Sequence, residues 1–324
     1  MQPDNGEPTP KSGDTFRPGQ PPAGAVPPFR FEMVVPYRKA LSPEVFRHST
    51  VRLLLFFALF PLLLGFTLAR MRTAPGLEQT AWLLGIYYAS IWGVVLHNLI
   101  KPPRISWRLT GACVLFTIVI GIPLLLLLQQ FPPIRFLYAA AGTRQLVPSL
   151  IGFIGGVGIL EESCKALSVY FVLLRPNRLH DPLSGAFYGA MSGLGFAISE
   201  GVLYSVRYAM GLLTELAARQ NGFGDYLLAN TIRFVSLPLF HAIWAGIVGY
   251  FLGLAAINPS RRKPIIAIGI AIAAVLHGAY NTFASGLLGI AVMAFSILLF
   301  VTYLRESRQI VEMLRQAEQQ GKSP

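Results

Sequence analysis

Three glutamates and two histidines of this sequence stand among residues that are otherwise apolar. Glu161, Glu162 and Glu200 lie inside runs of hydrocarbon length, as do His241 and His277, with Lys165 four residues after Glu161 and Asn281 four after His277. On insertion scales a charge at mid-membrane costs about 2.5 to 3.5 kcal/mol, so three carboxylates placed there must face a partner, a cavity or a function. Lys165 can pair with Glu161 or Glu162 on its own helix through i,i+4 and i,i+3 spacing, but one lysine cannot balance three carboxylates. The chemistry that such a group supports is hydrolysis. Two adjacent carboxylates in a low dielectric do not both ionise cheaply, so one gains proton affinity and can act as general acid/base on water while Lys165 holds the other charged. Imidazoles and an amide at the same level can polarise a carbonyl or stabilise the oxyanion of a tetrahedral intermediate. Glycosidases also pair carboxylates, but across a sugar ring rather than side by side in sequence.

Other readings of the same residues must be set beside this one. Glu200, His241 and His277 form a two-His, one-carboxylate set of the kind that holds hydrolytic zinc. The sequence has no HExxH, so a zinc site would have to be assembled from separate helices. Taken one at a time, a membrane histidine is a hydrogen-bonded packing residue and a membrane glutamate an ion-paired one. Cys164, beside the glutamate pair, reads as a small packing residue, since a thiolate is disfavoured next to two carboxylates. A proton- or cation-coupled transporter, with the carboxylates and histidines as a relay, is the alternative from a different functional class. The lack of an evident internal repeat counts against it.

The elements that must position these residues follow from composition. The chain has 324 residues, 53% hydrophobic and 13% charged, with a mean hydropathy of +0.54, which excludes an ordinary water-soluble enzyme. About eight apolar stretches approach the ~20 residues a spanning helix needs. They lie near 51–70, 80–100, 109–130, 147–174, 183–207, 228–257, 265–283 and 285–304. The fold class expected is therefore all-α, a polytopic integral membrane helical bundle. Residues 1–45, rich in Pro and Gly, read as a disordered tail, with order starting at Ser42-Pro43-Glu44, where Ser can cap a helix and Pro fits its first turn. Residues 46–305 are the transmembrane domain and 306–324 a polar helical exit. No secretory signal is evident at the start. Two cysteines in apolar segments make neither a disulfide framework nor a metal pair.

The net charge of +12 comes from basic residues scattered between apolar runs, which suits loops facing anionic lipid and not nucleic acid. Alternate loops hold nineteen and six Lys and Arg, and by the positive-inside rule both termini are cytoplasmic, N-in/C-in. Counting ~1.5 Å per residue from the basic ends puts Glu162, Glu200, His241, His277 and Asn281 at depths of ~18 to 25 Å, one layer contributed by four consecutive spans. Gly189, Gly193, Phe196 and Glu200 share one helix face, and the glycines permit close approach of a neighbour.

Glu161-Glu162-Ser163-Cys164-Lys165 has the form EExxK, Phe196 to Glu200 the form FxxxE, and single histidines occur in two later helices. In this the chain resembles the PrsW family of polytopic intramembrane proteases, relatives of the CAAX-protease and bacteriocin-processing (CPBP) membrane proteases. The resemblance covers about residues 147–285. It implies peptide-bond hydrolysis in a membrane-anchored protein such as an anti-sigma factor, in a bacterial-type plasma membrane. It also implies a catalytic set in which Glu161 and Glu162 are the paired glutamates, Lys165 their basic neighbour, Glu200 the second-motif acid, His241 the third-motif histidine, and His277 with Asn281 the further polar helix. The wider CPBP pattern has Arg after the glutamates and FxxxH; here Lys165 and FxxxE replace them.

Overall fold

Among the described residues the apolar runs fold as helices and no strand occurs. The structure is a computed structural model and describes residues 42–48, 51, 54–55, 77–216, 222–284 and 286–320, with side chains described over these ranges except 77–87 and 202–234. The Pro-rich segment expected to be disordered lies outside the described residues up to residue 41, and the first apolar stretch near 51–70 almost wholly so. The first described helix is α1, Pro43–Arg47, with Pro at its first turn as the sequence predicts, although the Ser42 side chain makes no capping bond.

The next helices in the chain are α2, Leu77–Ile100; α3, Trp107–Leu128; and the short α4, Pro132–Ala141. After them comes α5, a continuous run built of Leu146–Ile151, the π-helical Gly152–Gly158, Ile159–Val169 and the π-helical Tyr170–Leu174. The last four are α6, Pro182–Leu216; α7, Gly222–Ile257; α8, Arg262–Phe283; and α9, Leu287–Gln319. Among the described residues, four helices are long and apolar enough to cross a membrane, within Trp107–Leu128, Val235–Ile257, Pro259–Phe283 and Leu287–Gln319. The protein is therefore a helical membrane protein. One feature departs from the pattern read in the sequence: α4 occupies an interval where no element is expected, started by Pro132 and Pro133 at its first turn. α9 runs unbroken from its apolar span into the polar exit, which is helical to Gln319.

The core is the α6–α7 pair. Gly185, Gly189 and Gly193 recur every turn on α6, and a Cβ on Gly189 or Gly193 would run into the carbonyl oxygen of Ala245 or His241 on α7. The two backbones touch, so small residues set the register and bring the polar faces of both helices together. Around this pair pack large buried side chains, among them Phe187, Phe240, Trp244, Tyr250 and Phe251. Pro238 lies inside α7, three residues before His241. It cannot donate to the preceding turn, and in that turn the Val235 carbonyl accepts a 2.7 Å hydrogen bond from the Trp92 indole of α2.

Candidate functional site: a buried Glu/Lys/His cluster

The glutamate pair sits one turn beyond the π-helical Gly152–Gly158, at the start of the regular stretch Ile159–Val169. Extra residues in a helical turn rotate the side chains beyond it, and such turns concentrate at functional sites. Here the turn is also thin: a Cβ on Gly158 would meet the Ala274 carbonyl oxygen at 2.5 Å, and one on Gly278 the Ile154 Cα at 2.6 Å. α5 and α8 thus approach at backbone distance, which sets Glu161 and Glu162 against His277.

The result is one connected network. Lys165 Nζ donates to Glu162 Oε1 at 2.7 Å and to His241 Nδ1 at 2.7 Å, and lies 3.6 Å from Glu161 Oε2. His277 Nδ1 is 2.9 Å from the same Glu162 oxygen, so its N–H points at the carboxylate and its Nε2 faces Glu161 Oε2, 3.8 Å away. His241, with Nδ1 accepting from Lys165, directs Nε2 to Glu200 Oε2 at 2.6 Å. Glu162, Lys165, His241 and His277 are buried, and the Glu200 side chain is only 14% exposed. A buried charge without a counter-charge would cost several kcal/mol; here the ammonium lies among two carboxylates and an imidazole, with the Phe196 ring 4.3 Å from Nζ.

Rings hold the imidazoles in place. Trp244 stacks on His277 with centroids 4.3 Å apart and planes at 14°, and its indole N–H donates to Ser296 Oγ on α9 at 3.2 Å. His241 meets His277 edge to face at 5.3 Å and packs on Phe196 at 5.2 Å. The Lys165 carbonyl accepts from Ser192 Oγ of α6, itself bonded to Thr117 of α3, so three helices fix the lysine backbone.

Of the residues singled out in the sequence, Glu161, Glu162, Lys165, His241 and His277 come together, with Glu200 attached through His241. Asn281, one turn beyond His277, is half-buried, and among the described residues no hydrogen bond ties it to the cluster. Cys164 lies in a small apolar cluster with Ile122, Leu125 and Phe196, the packing role its neighbours predict. One carboxylate oxygen of Glu161 and the two imidazoles lie within 4.8 Å of one another and are all buried, a grouping able to hold a metal ion. The set named from the sequence had Glu200 as its carboxylate; here Glu161 groups with the two histidines, and Glu200 Oε2 lies 2.6 Å from His241 Nε2.

Two participants escape a sequence reading. Trp244 lies three residues after His241, a spacing that puts both on one helix face. Tyr138 lies on α4, and its buried hydroxyl makes no well-formed hydrogen bond, although Gln129 is a polar neighbour and it is within electrostatic reach of Glu161 and Glu200. The Pro132-Pro133 start was the available signal for its helix.

Comparison with known proteins gives the family. Over 124 residues the chain is 27% identical to Protease PrsW of Shouchella clausii, which is 38% of this chain and 50% of that protein. Over 152 residues it is 27% identical to Protease PrsW of Geobacillus kaustophilus, covering 46% and 59%. Over 125 residues it is 25% identical to Protease PrsW of Bacillus subtilis, covering 38% and 50%. The chain thus spans about half the length of the curated relatives it matches, and no solved structure matches it. The model of the PrsW family of intramembrane metalloproteases matches residues 105–305, a stretch that takes in every residue of the cluster, and the chain belongs to that family.

Proposed function

We propose that this protein is an intramembrane endopeptidase that hydrolyses a peptide bond of a membrane-anchored protein, with Glu161 activating the attacking water. One observation carries the division of labour: each glutamate has a buried Oε2 without a hydrogen bond, but Glu162 is locked through Oε1 by both Lys165 and His277, whereas Glu161 Oε2 stands between Lys165 Nζ at 3.6 Å and His277 Nε2 at 3.8 Å without bonding to either. A buried oxygen left open in this way is available to a reactant. A water between Glu161 Oε2 and His277 Nε2 can donate one hydrogen to each. Glu161 takes its proton as the water oxygen bonds to the carbonyl carbon, and the same carboxyl returns that proton to the amine nitrogen as the C–N bond breaks. Asn281 and Tyr138 supply the donors that can meet the carbonyl oxygen. Lys165 keeps Glu162 charged, and Glu162 orients His277.

The family description names a metalloprotease, and the residues present fit zinc: two imidazoles and a carboxylate, all buried, with His277 oriented by Glu162 in the way that metal-ligating histidines are held by a second carboxylate. Glu161, His241 and His277 would hold the ion, which requires His241 to give up Lys165 at Nδ1 while Glu200 stays against its Nε2. When bound, such an ion supplies Lewis-acid polarisation of the scissile carbonyl. Glu161 has a different duty in the two cases, and chelation separates them: loss of cleavage with a chelator and its return with zinc assigns Glu161 as a ligand.

The remaining parts of the reading rest on the sequence. They are about eight spans with both termini in the cytoplasm, a protease-like core over 147–285, anionic lipid against the basic loops, and regulated cleavage of an anti-sigma factor in a bacterial plasma membrane. The decisive experiment uses purified protein in detergent with a candidate single-span substrate. Glu161→Gln should lower the cleavage rate about 10²- to 10⁴-fold with folding intact; undiminished cleavage would overturn the assignment. Comparing membrane proteomes of wild-type and Glu161→Gln cells identifies the substrate by its missing truncated form. A relay for ion transport uses the same residues, and proton flux into proteoliposomes, lost in Glu161→Gln without any proteolysis, would favour it instead.

A further inference from the structure

We infer that the cavity where the C-terminal end of α2 meets α9 is a binding site for a phosphate ester, filled by the headgroup of an anionic phospholipid. The inference rests on membrane insertion and not on the protease reading, so the two can fail separately. The cavity has a volume of about 190 Å³ and is lined by Lys101, Arg305, Arg308 and His48, with no Asp or Glu among its lining residues. At ~30 Å³ per water it has room for about six, enough for a phosphate and its first carbons and too little for a drug-sized molecule.

Its construction separates floor from rim. Leu99, Val301 and Leu304 are buried and apolar, whereas Lys101 and Arg308 are exposed and Arg305 half-buried. Arg308 is fixed by a 2.6 Å hydrogen bond to the Leu99 carbonyl, which satisfies one of the open acceptors at the end of α2 and leaves other N–H groups of its fork available. Lys101 takes a left-handed backbone conformation, φ 49°, that ends α2 and sets its side chain at the mouth of the cavity. Among the described residues none of these three cations forms a salt bridge with a carboxylate. Nearby Arg104 does, with Glu318 at 3.3 Å.

Depth selects the source of the phosphate. From Leu287, eighteen residues of α9 lead to Arg305, a rise of ~27 Å, nearly the ~30 Å of a hydrocarbon core. The cations therefore stand at headgroup level with apolar residues beneath them, the order in which a phospholipid presents its own phosphate and chains. Each cation near an anionic surface contributes about a factor of five in binding.

The test uses the full chain purified in detergent. Lipid retention is measured by native mass spectrometry and thermal stabilisation with phosphatidylglycerol, phosphatidylcholine of the same chains, or inorganic phosphate. Wild type should hold phosphatidylglycerol in preference to phosphatidylcholine, Lys101→Gln with Arg305→Gln should weaken that binding about 25-fold, and Arg104→Gln should leave it unchanged. Arg305→Lys keeps the charge and should bind within a few-fold of wild type, which separates loss of the site from loss of fold. Stabilisation by inorganic phosphate alone, absent in the double variant, would support the site and assign it a soluble phosphate. Equal phosphatidylglycerol binding by wild type and the double variant, or equal loss in Arg104→Gln, would overturn the inference.

Discussion

The Lys165 cluster and the cavity between α2 and α9 are opposite solutions to the same electrostatic problem. Lys165 is buried and surrounded by partners from its own chain: Glu162 and Glu161 from α5, His241 from α7 and the Phe196 ring from α6. Where α2 ends against α9, Lys101, Arg305 and Arg308 gather around a cavity that no carboxylate lines. Burial explains the difference, because a charge sealed from water must find its counter-charge inside the protein, whereas a charge at the membrane surface finds it in solvent or lipid. An enzyme site can exploit the first arrangement, since groups locked by partners need not reorganise during reaction.

The comparison breaks most sharply at Glu162. Glu162→Gln removes the counter-charge of a fully buried lysine and should cost about 3 to 5 kcal/mol of stability, read as a large fall in thermal midpoint in detergent. Adding Lys165→Met to that variant removes the stranded ammonium and should restore much of the stability but none of the activity. If the double variant is no more stable than Glu162→Gln alone, the ion pair is not what holds this region. Glu161→Gln, by contrast, should silence cleavage at little cost in stability, because the Glu161 oxygen facing the site has no hydrogen bond to lose.

Tyr138 sharpens the same contrast. Its hydroxyl is buried without a well-formed hydrogen bond, so Tyr138→Phe removes nothing the fold depends on and should leave stability within about 0.5 kcal/mol. If the hydroxyl meets the carbonyl oxygen of the substrate, the cleavage rate should fall about 10²-fold, as for loss of one oxyanion donor. An unchanged rate would place Tyr138 outside the reaction.

How much of this was legible in the sequence depends on the range of the interaction that sets each feature. The apolar runs announce helices, because hydrophobic length is a local property, and the small gap after Phe283 gives the α8–α9 hairpin. The convergence of Glu161, Glu162, His241 and His277 was visible because depth along a helix can be counted at ~1.5 Å per residue. Rotation about each helix could not be counted across the π-helical Gly152–Gly158, which resets the face on which the glutamates emerge. The sequence offered Glu200 as the carboxylate of a metal set, and the structure groups Glu161 with the same two histidines. Trp244 and Tyr138 depend on which helices are neighbours, which no periodicity reveals. The helical exit after Glu306 was legible too, because helix propensity carries through a change from apolar to polar residues.

Register, the condition for both regions, is tested at Gly193. A Cβ there would collide with the His241 carbonyl, so Gly193→Ala must push α6 from α7 and with it His241 from Lys165. A cost of about 1 to 3 kcal/mol is expected, as for overpacking elsewhere, together with weakened cleavage. Gly111, with nothing within 4 Å of an added Cβ, is the matched control: Gly111→Ala should be neutral or slightly stabilising on a helix.

The smallest effect belongs to the pair that looks most like a structural tie. Arg104 and Glu318 join the α2–α3 connection to the end of α9 at 3.3 Å, but their side chains are 68% and 56% exposed. Water and salt screen such a pair, and holding two long side chains together consumes much of what attraction remains, so Arg104→Gln should change stability by less than about 0.5 kcal/mol. A double-mutant cycle with Glu318→Gln measures the coupling directly, and it should shrink further as salt is raised. A coupling above about 1 kcal/mol, the upper end for exposed pairs, would mean that this end of the bundle is shielded from water. In that case the neighbouring cations, too, would need partners from the protein and could not be waiting for lipid.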